Sequence, residues 1–210
     1  MKNRLLLIVL LLAVSAPFAI AQERSNVSFG ILGGINFQNL NGELPNGDKL
    51  ENDMLLGYHV GVNVQIPIAP EFYFQPGLMY SIKGAKNTYT ALGSEFTDEI
   101  KINYLEVPLN LVYKAPLGSG FFMLGFGPYV AYGISGKQVF EGNSLTLERG
   151  VDYKDFDAGA NIFAGYETAG GLFLQLDTQF GMLNIIPDDS SDDQSTAKNT
   201  GFGLSLGYRF

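Results

Sequence analysis

From Asn26 onward the chain repeats one pattern: a large apolar residue, then a glycine or small polar residue, then another large apolar one. The stretch Gly201–Phe210 shows it in its simplest form. Phe202, Leu204, Leu206, Tyr208 and Phe210 alternate with Gly201, Gly203, Ser205, Gly207 and Arg209. A period of two is the signature of a strand with one apolar face. No sustained period of 3.6 residues follows the first 21 positions. Strands are therefore expected at 26–37, 55–68, 72–84, 100–114, 121–135, 155–167, 172–184 and 201–210. The fourth is irregular. Ile100, Ile102 and Tyr104 hold one parity, whereas Leu105, Val107, Leu109, Leu111 and Tyr113 hold the other. A parity switch of this kind predicts a β-bulge near Tyr104 and Leu105.

The connections between these segments alternate in length. Ala69-Pro70-Glu71, the stretch 115–120 and Thr168–Gly171 are tight turns. The stretches 38–54, 85–99, 136–152 and 185–199 are long and polar. Loops of that length are uncommon inside compact domains and tend to carry function. Strict alternation places all four at one end of an eight-stranded antiparallel meander, with both termini at the other end.

Which face points inward separates two architectures. A soluble lipocalin-like barrel would turn the Leu, Val and Phe rows inward around a ligand and show charge outside. The second face here is instead glycine, serine, asparagine and glutamine with few charges, which suits a narrow interior. Segments of about ten residues, apolar outward and polar inward, describe a transmembrane β-barrel. The fold class is thus all-β, an eight-stranded antiparallel up-and-down transmembrane β-barrel. Aromatic girdles at its two rims would draw on Tyr58, Phe72, Phe74, Tyr80, Tyr104, Tyr113, Phe122, Tyr132, Tyr166, Phe180 and Tyr208. In lipid an unpaired backbone group costs several kcal/mol, so the first and last strands must pair. That requirement accounts for Phe210 lying within a strand.

Composition sharpens this picture. Charged residues make up 16% of the chain, below the roughly 25% typical of soluble domains. Lys2 and Arg4, an apolar run from Leu5 to Val14 and Ala19-Ile20-Ala21 have the form of a cleaved secretory signal peptide. Its apolar core is about half the roughly 20 residues of a spanning helix. Residues 1–21 are read as this leader and 22–210 as the barrel domain. Removing Lys2 and Arg4 takes the net charge from −8 to −10. An acidic chain is a poor match for nucleic acid, where phosphates are held by Lys and Arg. Cysteine is absent, so thiolate chemistry and disulfides are excluded.

The candidate chemistry lies on the inward face. His59, Lys83, Glu106, Asp157, Asp177 and Arg209 would form an interior polar network, with Asn63, Gln65, Gln75, Asn110, Asn161, Gln175 and Gln179. Buried charges must be paired, so Glu106, Asp157 and Asp177 need Lys83, Arg209 or amides and water. His59 is the single histidine. Its neighbours on the same face, Gly57, Gly61 and Asn63, supply no nucleophile, and no Gly-x-Ser-x-Gly occurs. A lipid-modifying enzyme would need a serine brought to His59 from another strand; the reading is non-enzymatic, without a cofactor. Asp188, Asp189, Asp192 and Asp193 crowd the last long connection, where oxygen-rich loops can hold Ca²⁺, but their spacing is not that of an EF-hand.

The signal peptide, eight strands, four long loops and terminal Tyr208-Arg209-Phe210 resemble small outer-membrane barrels of the OmpA/OmpX type. "YLEVPLNLVY" (104–113), "GFGPYVAYG" (125–133), "FDAGANIFAGYE" (156–167) and "FGMLNI" (180–185) resemble the PorT-like outer-membrane β-barrel family across the mature chain. The resemblance implies residence in the outer membrane of a Gram-negative bacterium, in contact with its lipid, with periplasmic termini and extracellular loops. It implies a structural or interaction role at the cell surface, where the long loops would meet a protein partner. It also implies that Leu206, Tyr208 and Phe210 resemble the signal read by the barrel-assembly machinery.

Overall fold

The computed structural model describes residues 27–91, 93–187 and 195–210. The expected leader at 1–21 and Asp188, Asp189, Asp192 and Asp193 lie outside the described residues. Nine strands follow one another: β1 (Ser28–Glu43), β2 (Leu55–Ala69), β3 (Phe72–Ala91), β4 (Ser94–Leu117), β5 (Gly120–Phe140), β6 (Asn143–Leu147), β7 (Phe156–Glu167), β8 (Leu172–Gly181) and β9 (Thr196–Arg209). Each pairs antiparallel with its neighbour, β5 with β7 directly, and β1 with β9. That last pairing closes eight strands into a ring. It runs from Gly30 opposite Arg209 to Glu43 opposite Thr196, and the Phe210 amide donates to the Phe29 carbonyl at 2.8 Å.

The ninth strand, β6, is outside the ring. It pairs only with the far end of β5, Gly136–Phe140 against Asn143–Leu147. Two of the expected long loops are therefore ladders. The stretch 85–99 continues β3 and β4, in register from Ala85 opposite Ile100 to Ala91 opposite Ser94. The stretch 136–152 carries the β5–β6 hairpin. Beyond the bilayer both faces of a strand are wet, so the ladder persists while the alternation that announces it disappears. The first connection is shortened too, because β1 runs on to Glu43.

The expected bulge is displaced to the neighbouring strand. β4 stays in unbroken register with β3 through Asn103, Tyr104 and Leu105. On the other side Asn103 pairs with Ser135 and Tyr104 with Gly133, which leaves Ile134 of β5 as the extra residue. Ile134 and Ser135 are consecutively exposed as a result. β4 keeps one parity throughout: Ile102 and Tyr104 point inward together with Glu106 and Asn110. Tyr104, 0% exposed, is thus no girdle residue.

The rows of leucine, valine and phenylalanine face outward around the ring. Val62, Leu176 and Leu206 are 51%, 61% and 56% exposed. Such a surface suits hydrocarbon and is unsuited to water. A barrel with its apolar rows lining a ligand cavity is excluded by this placement. Aromatic pairs mark both rims: Phe72 with Tyr113 and Tyr208 with Phe210 near the tight turns, Tyr58 with Tyr80 and Tyr132 with Phe156 toward the long connections.

Candidate functional site: the barrel interior

The interior is layered along the barrel axis. Nearest the tight turns, Glu167 is shared by two cations. Its Oε1 lies 2.7 Å from Lys114 Nζ and its Oε2 lies 2.9 Å from Arg209 Nε. Amides complete the cluster. Arg209 Nη1 donates to Asn63 Oδ1 at 2.9 Å, Lys114 Nζ to Gln65 Oε1 at 3.3 Å, and Gln65 Nε2 to Gln75 Oε1 at 2.7 Å. The Arg209 guanidinium also lies over the Phe173 ring, 5.3 Å from its centroid. Gly207 makes room for that ring, since a Cβ there would collide with it. Buried Leu32, Val112, Met123, Phe163 and Phe173 pack into an apolar layer beside these charges.

A second cluster lies toward the long connections. Lys83 Nζ sits 2.7 Å from Glu106 Oε2 and 3.4 Å from Asp157 Oδ2, and all three side chains are essentially sealed from solvent. Asp157 accepts further bonds from Tyr129 Oη at 3.2 Å and Asn199 Nδ2 at 3.0 Å. Glu106 accepts from Gln179 Nε2 at 2.7 Å. The ammonium of Lys83 stands 4.0 Å from the centre of the Tyr129 ring. Charge-assisted bonds and a cation–π contact together offset the desolvation that isolates each charge.

Between the two clusters His59, Ser205 and Asp177 share a cavity of about 40 Å³. His59 Nε2 and Ser205 Oγ are 2.7 Å apart, and Asp177 lines the same cavity. Asn161 Nδ2 donates to Asn110 Oδ1 at 2.9 Å, and Asn36 Nδ2 to Ser81 Oγ at 3.1 Å. Asn36, Gln38 and Asn161 also line this cavity, and their side-chain oxygens are buried without a protein donor.

Of the six ionisable residues singled out in the sequence, the structure brings Lys83, Glu106 and Asp157 into one cluster. Arg209 is remote from them and binds Glu167. His59 and Asp177 occupy the space between. Lys114 and Glu167, central to the lower cluster, were not singled out in the sequence although both keep the inward parity of their strands, Glu167 as the last residue of β7 and Lys114 near the turn end of β4. Tyr129 and Tyr104 were missed because an inward tyrosine reads as part of an apolar row. Leu206 and Tyr208 lie on the outer face of β9, and Phe210, just past its end, is 70% exposed.

A family model described as outer membrane protein beta-barrel domain matches residues 20–187. No curated protein matches the chain. Solved structures similar to it include Neisserial surface protein A, 10% identical, covering 89% of this chain and 100% of that one at a TM-score of 0.49. The attachment invasion locus protein Ail of Yersinia pestis is 13% identical, with 89% and 100% coverage and a TM-score of 0.42. A major outer membrane protein from Thermus thermophilus is 14% identical, with 89% and 100% coverage and a TM-score of 0.45.

Proposed function

We propose, because the chain belongs to the outer membrane protein β-barrel domain family, that it is a non-catalytic barrel whose interior is a structural plug and whose long connections engage a partner at the cell surface. It resides in the outer membrane of a Gram-negative bacterium, in contact with lipid. Within that family the four quoted motifs favour the PorT-like group. Residues 1–21 act as its cleaved leader and 22–210 as the mature barrel. The termini and tight turns then face the periplasm, and the connections around β6 and the β3–β4 hairpin face the exterior. Leu206, Tyr208 and Phe210 serve as the signal for the assembly machinery.

The observation that carries this reading is the plug itself. Two ion-paired clusters cross the lumen, and the space between them measures about 40 Å³. Eight strands enclose little more than their own side chains. The same geometry speaks against hydrolysis. Ser205 is 0% exposed, so an acyl substrate has no approach to its hydroxyl.

The hairpin tips provide the test. Trimming 88–97 and 139–144 to two-residue turns should leave a heat-modifiable barrel, yet fail to rescue the envelope defect of a deletion strain. Full rescue by the trimmed barrel would sink the surface role. Biotinylation of exposed Lys137 on intact cells checks the orientation; labelling only after lysis would reverse it.

A further inference from the structure

The outer surface changes character above the apolar rows of β4 and β5. Leu105 stands opposite Tyr132 on the outward face. One step toward the long connections Asn103 stands opposite Ser135, and Asn103 Nδ2 donates to Ser135 Oγ at 2.8 Å. One step further Lys101 stands opposite Lys137. Leaving the hydrocarbon, the order is therefore apolar pair, amide and hydroxyl, then two ammonium groups. Lys198 of β9 also faces outward at this end of the barrel. Around the tight turns no lysine or arginine faces outward among the described residues, because Lys114 and Arg209 both point into the lumen.

The bulge at Ile134 makes this arrangement. Tyr132 and Ile134 keep the outward parity of β5, and the extra residue brings Ser135 and Lys137 onto the same face. In unbroken register Lys137 would enter the lumen. Bulges re-aim side chains in this way. Like charges directly opposite across a ladder destabilise it. Glu99 forms an ion pair with Lys101. Lys137 is exposed and has no acceptor among the described residues. One positive charge is thus left over, at the level where lipid headgroups meet the strands. The Ser135 hydroxyl accepts from Asn103 and keeps its own proton for a further acceptor. Ammonium groups beside a free hydroxyl suit the oxygens of a phosphate. The apolar pair directly below offers a surface to acyl chains, which a free phosphate would leave uncovered.

We propose that Lys101, Ser135 and Lys137 bind the phosphate of an anionic phospholipid, with its acyl chains along Leu105 and Tyr132. Lys137 supplies the unbalanced charge, Lys101 shares its ammonium between Glu99 and the phosphate, and Ser135 donates its hydroxyl. The lipid belongs to whichever leaflet meets the long connections. The site goes beyond the surface-interaction reading and requires no protein partner, so failure of one leaves the other intact.

The test is NMR of the full barrel in uncharged maltoside micelles, titrated with phosphatidylglycerol. The amide signals of Lys101, Ser135 and Lys137 should shift and saturate. Diacylglycerol with the same chains should leave them in place. Lys137→Gln should raise the apparent Kd about tenfold, the loss of one charge-assisted bond, and Ser135→Ala about threefold. Lys198→Gln, on the opposite wall of the ring, should leave it unchanged. An equal loss in Lys198→Gln would reduce the effect to diffuse charge at the rim and overturn the site. So would non-saturating shifts, or unchanged affinity in a folded Lys137→Gln barrel. Saturable shifts with diacylglycerol would overturn the role of the phosphate. Inorganic phosphate binding as tightly as phosphatidylglycerol would overturn the lipid as its source.

Discussion

Lys83 and Glu106 meet at 2.7 Å although they are not opposite each other. Glu106 pairs across β3–β4 with Met79, so Lys83 lies two inward positions further along β3. The lysine side chain spans that offset through the lumen and reaches Asp157 from across the barrel as well. One cation thus ties β3, β4 and β7 together. Replacing it with Met would strand two buried carboxylates. Lys83→Met should cost about 3–5 kcal/mol. The triple change Lys83→Met, Glu106→Gln, Asp157→Asn should recover most of it, since the amide introduced at position 157 keeps an acceptor for Tyr129 and Asn199. Urea unfolding of barrels refolded into vesicles measures both; a single variant as stable as the parent would show that the cluster is not holding the strands.

Much of this was visible in the sequence. Strand alternation located all eight ring strands, because burying one face against lipid forces it. The inward face of His59, Asn63, Gln75, Glu106 and Asp157 followed from the same parity. What alternation cannot do is separate a bulge from an apolar layer inside the lumen. Ile102 and Tyr104 produce the same break in pattern by either route, and only the pairing of Asn103 with Ser135 and Tyr104 with Gly133 shows that the extra residue is Ile134. Pairings across the lumen were equally hidden. Whether Arg209 meets Asp177 or Glu167 depends on barrel tilt and stagger, which a single strand does not encode.

Gly84 has φ of +141° and lies within β3 beside Lys83, where any Cβ would collide with the Ile100 carbonyl. Gly47 also has positive φ, +84°, but open space around it. Gly84→Ala should therefore lose at least about 2 kcal/mol, and Gly47→Ala about 1 kcal/mol. Parallel unfolding curves for the two variants decide it. Similar losses would mean that the β3–β4 contact yields more easily than its geometry indicates.

Phe210 offers a way to separate assembly from stability. Its ring meets Tyr208 at 4.9 Å on the outer surface, so its removal forfeits apolar contact at the rim and no interior bond. Phe210→Ala should refold into vesicles with a loss of about 1–2 kcal/mol. In cells, the amount reaching the outer membrane should fall several-fold if the residue is read during assembly. Normal levels in the membrane would reduce Phe210 to an ordinary rim aromatic.

Val62 and Asn63 stand next to each other at the centre of β2 and face opposite solvents. Val62 is 51% exposed on the outer surface, whereas Asn63 is 6% exposed and accepts a bond from Arg209. An arginine at the outward position must sit in hydrocarbon or distort the bilayer to reach water. Val62→Arg should therefore cost about 2–4 kcal/mol in a bilayer. The same change on a water-facing strand would fall within about 0.5 kcal/mol. The cost should also decline for substitutions toward either rim, as at Ile66, because the side chain can then reach the interface. A series of arginine variants along β2, unfolded from vesicles, would trace the depth of the hydrocarbon directly. A flat series would contradict a membrane-facing outer surface, whatever the closure of the ring.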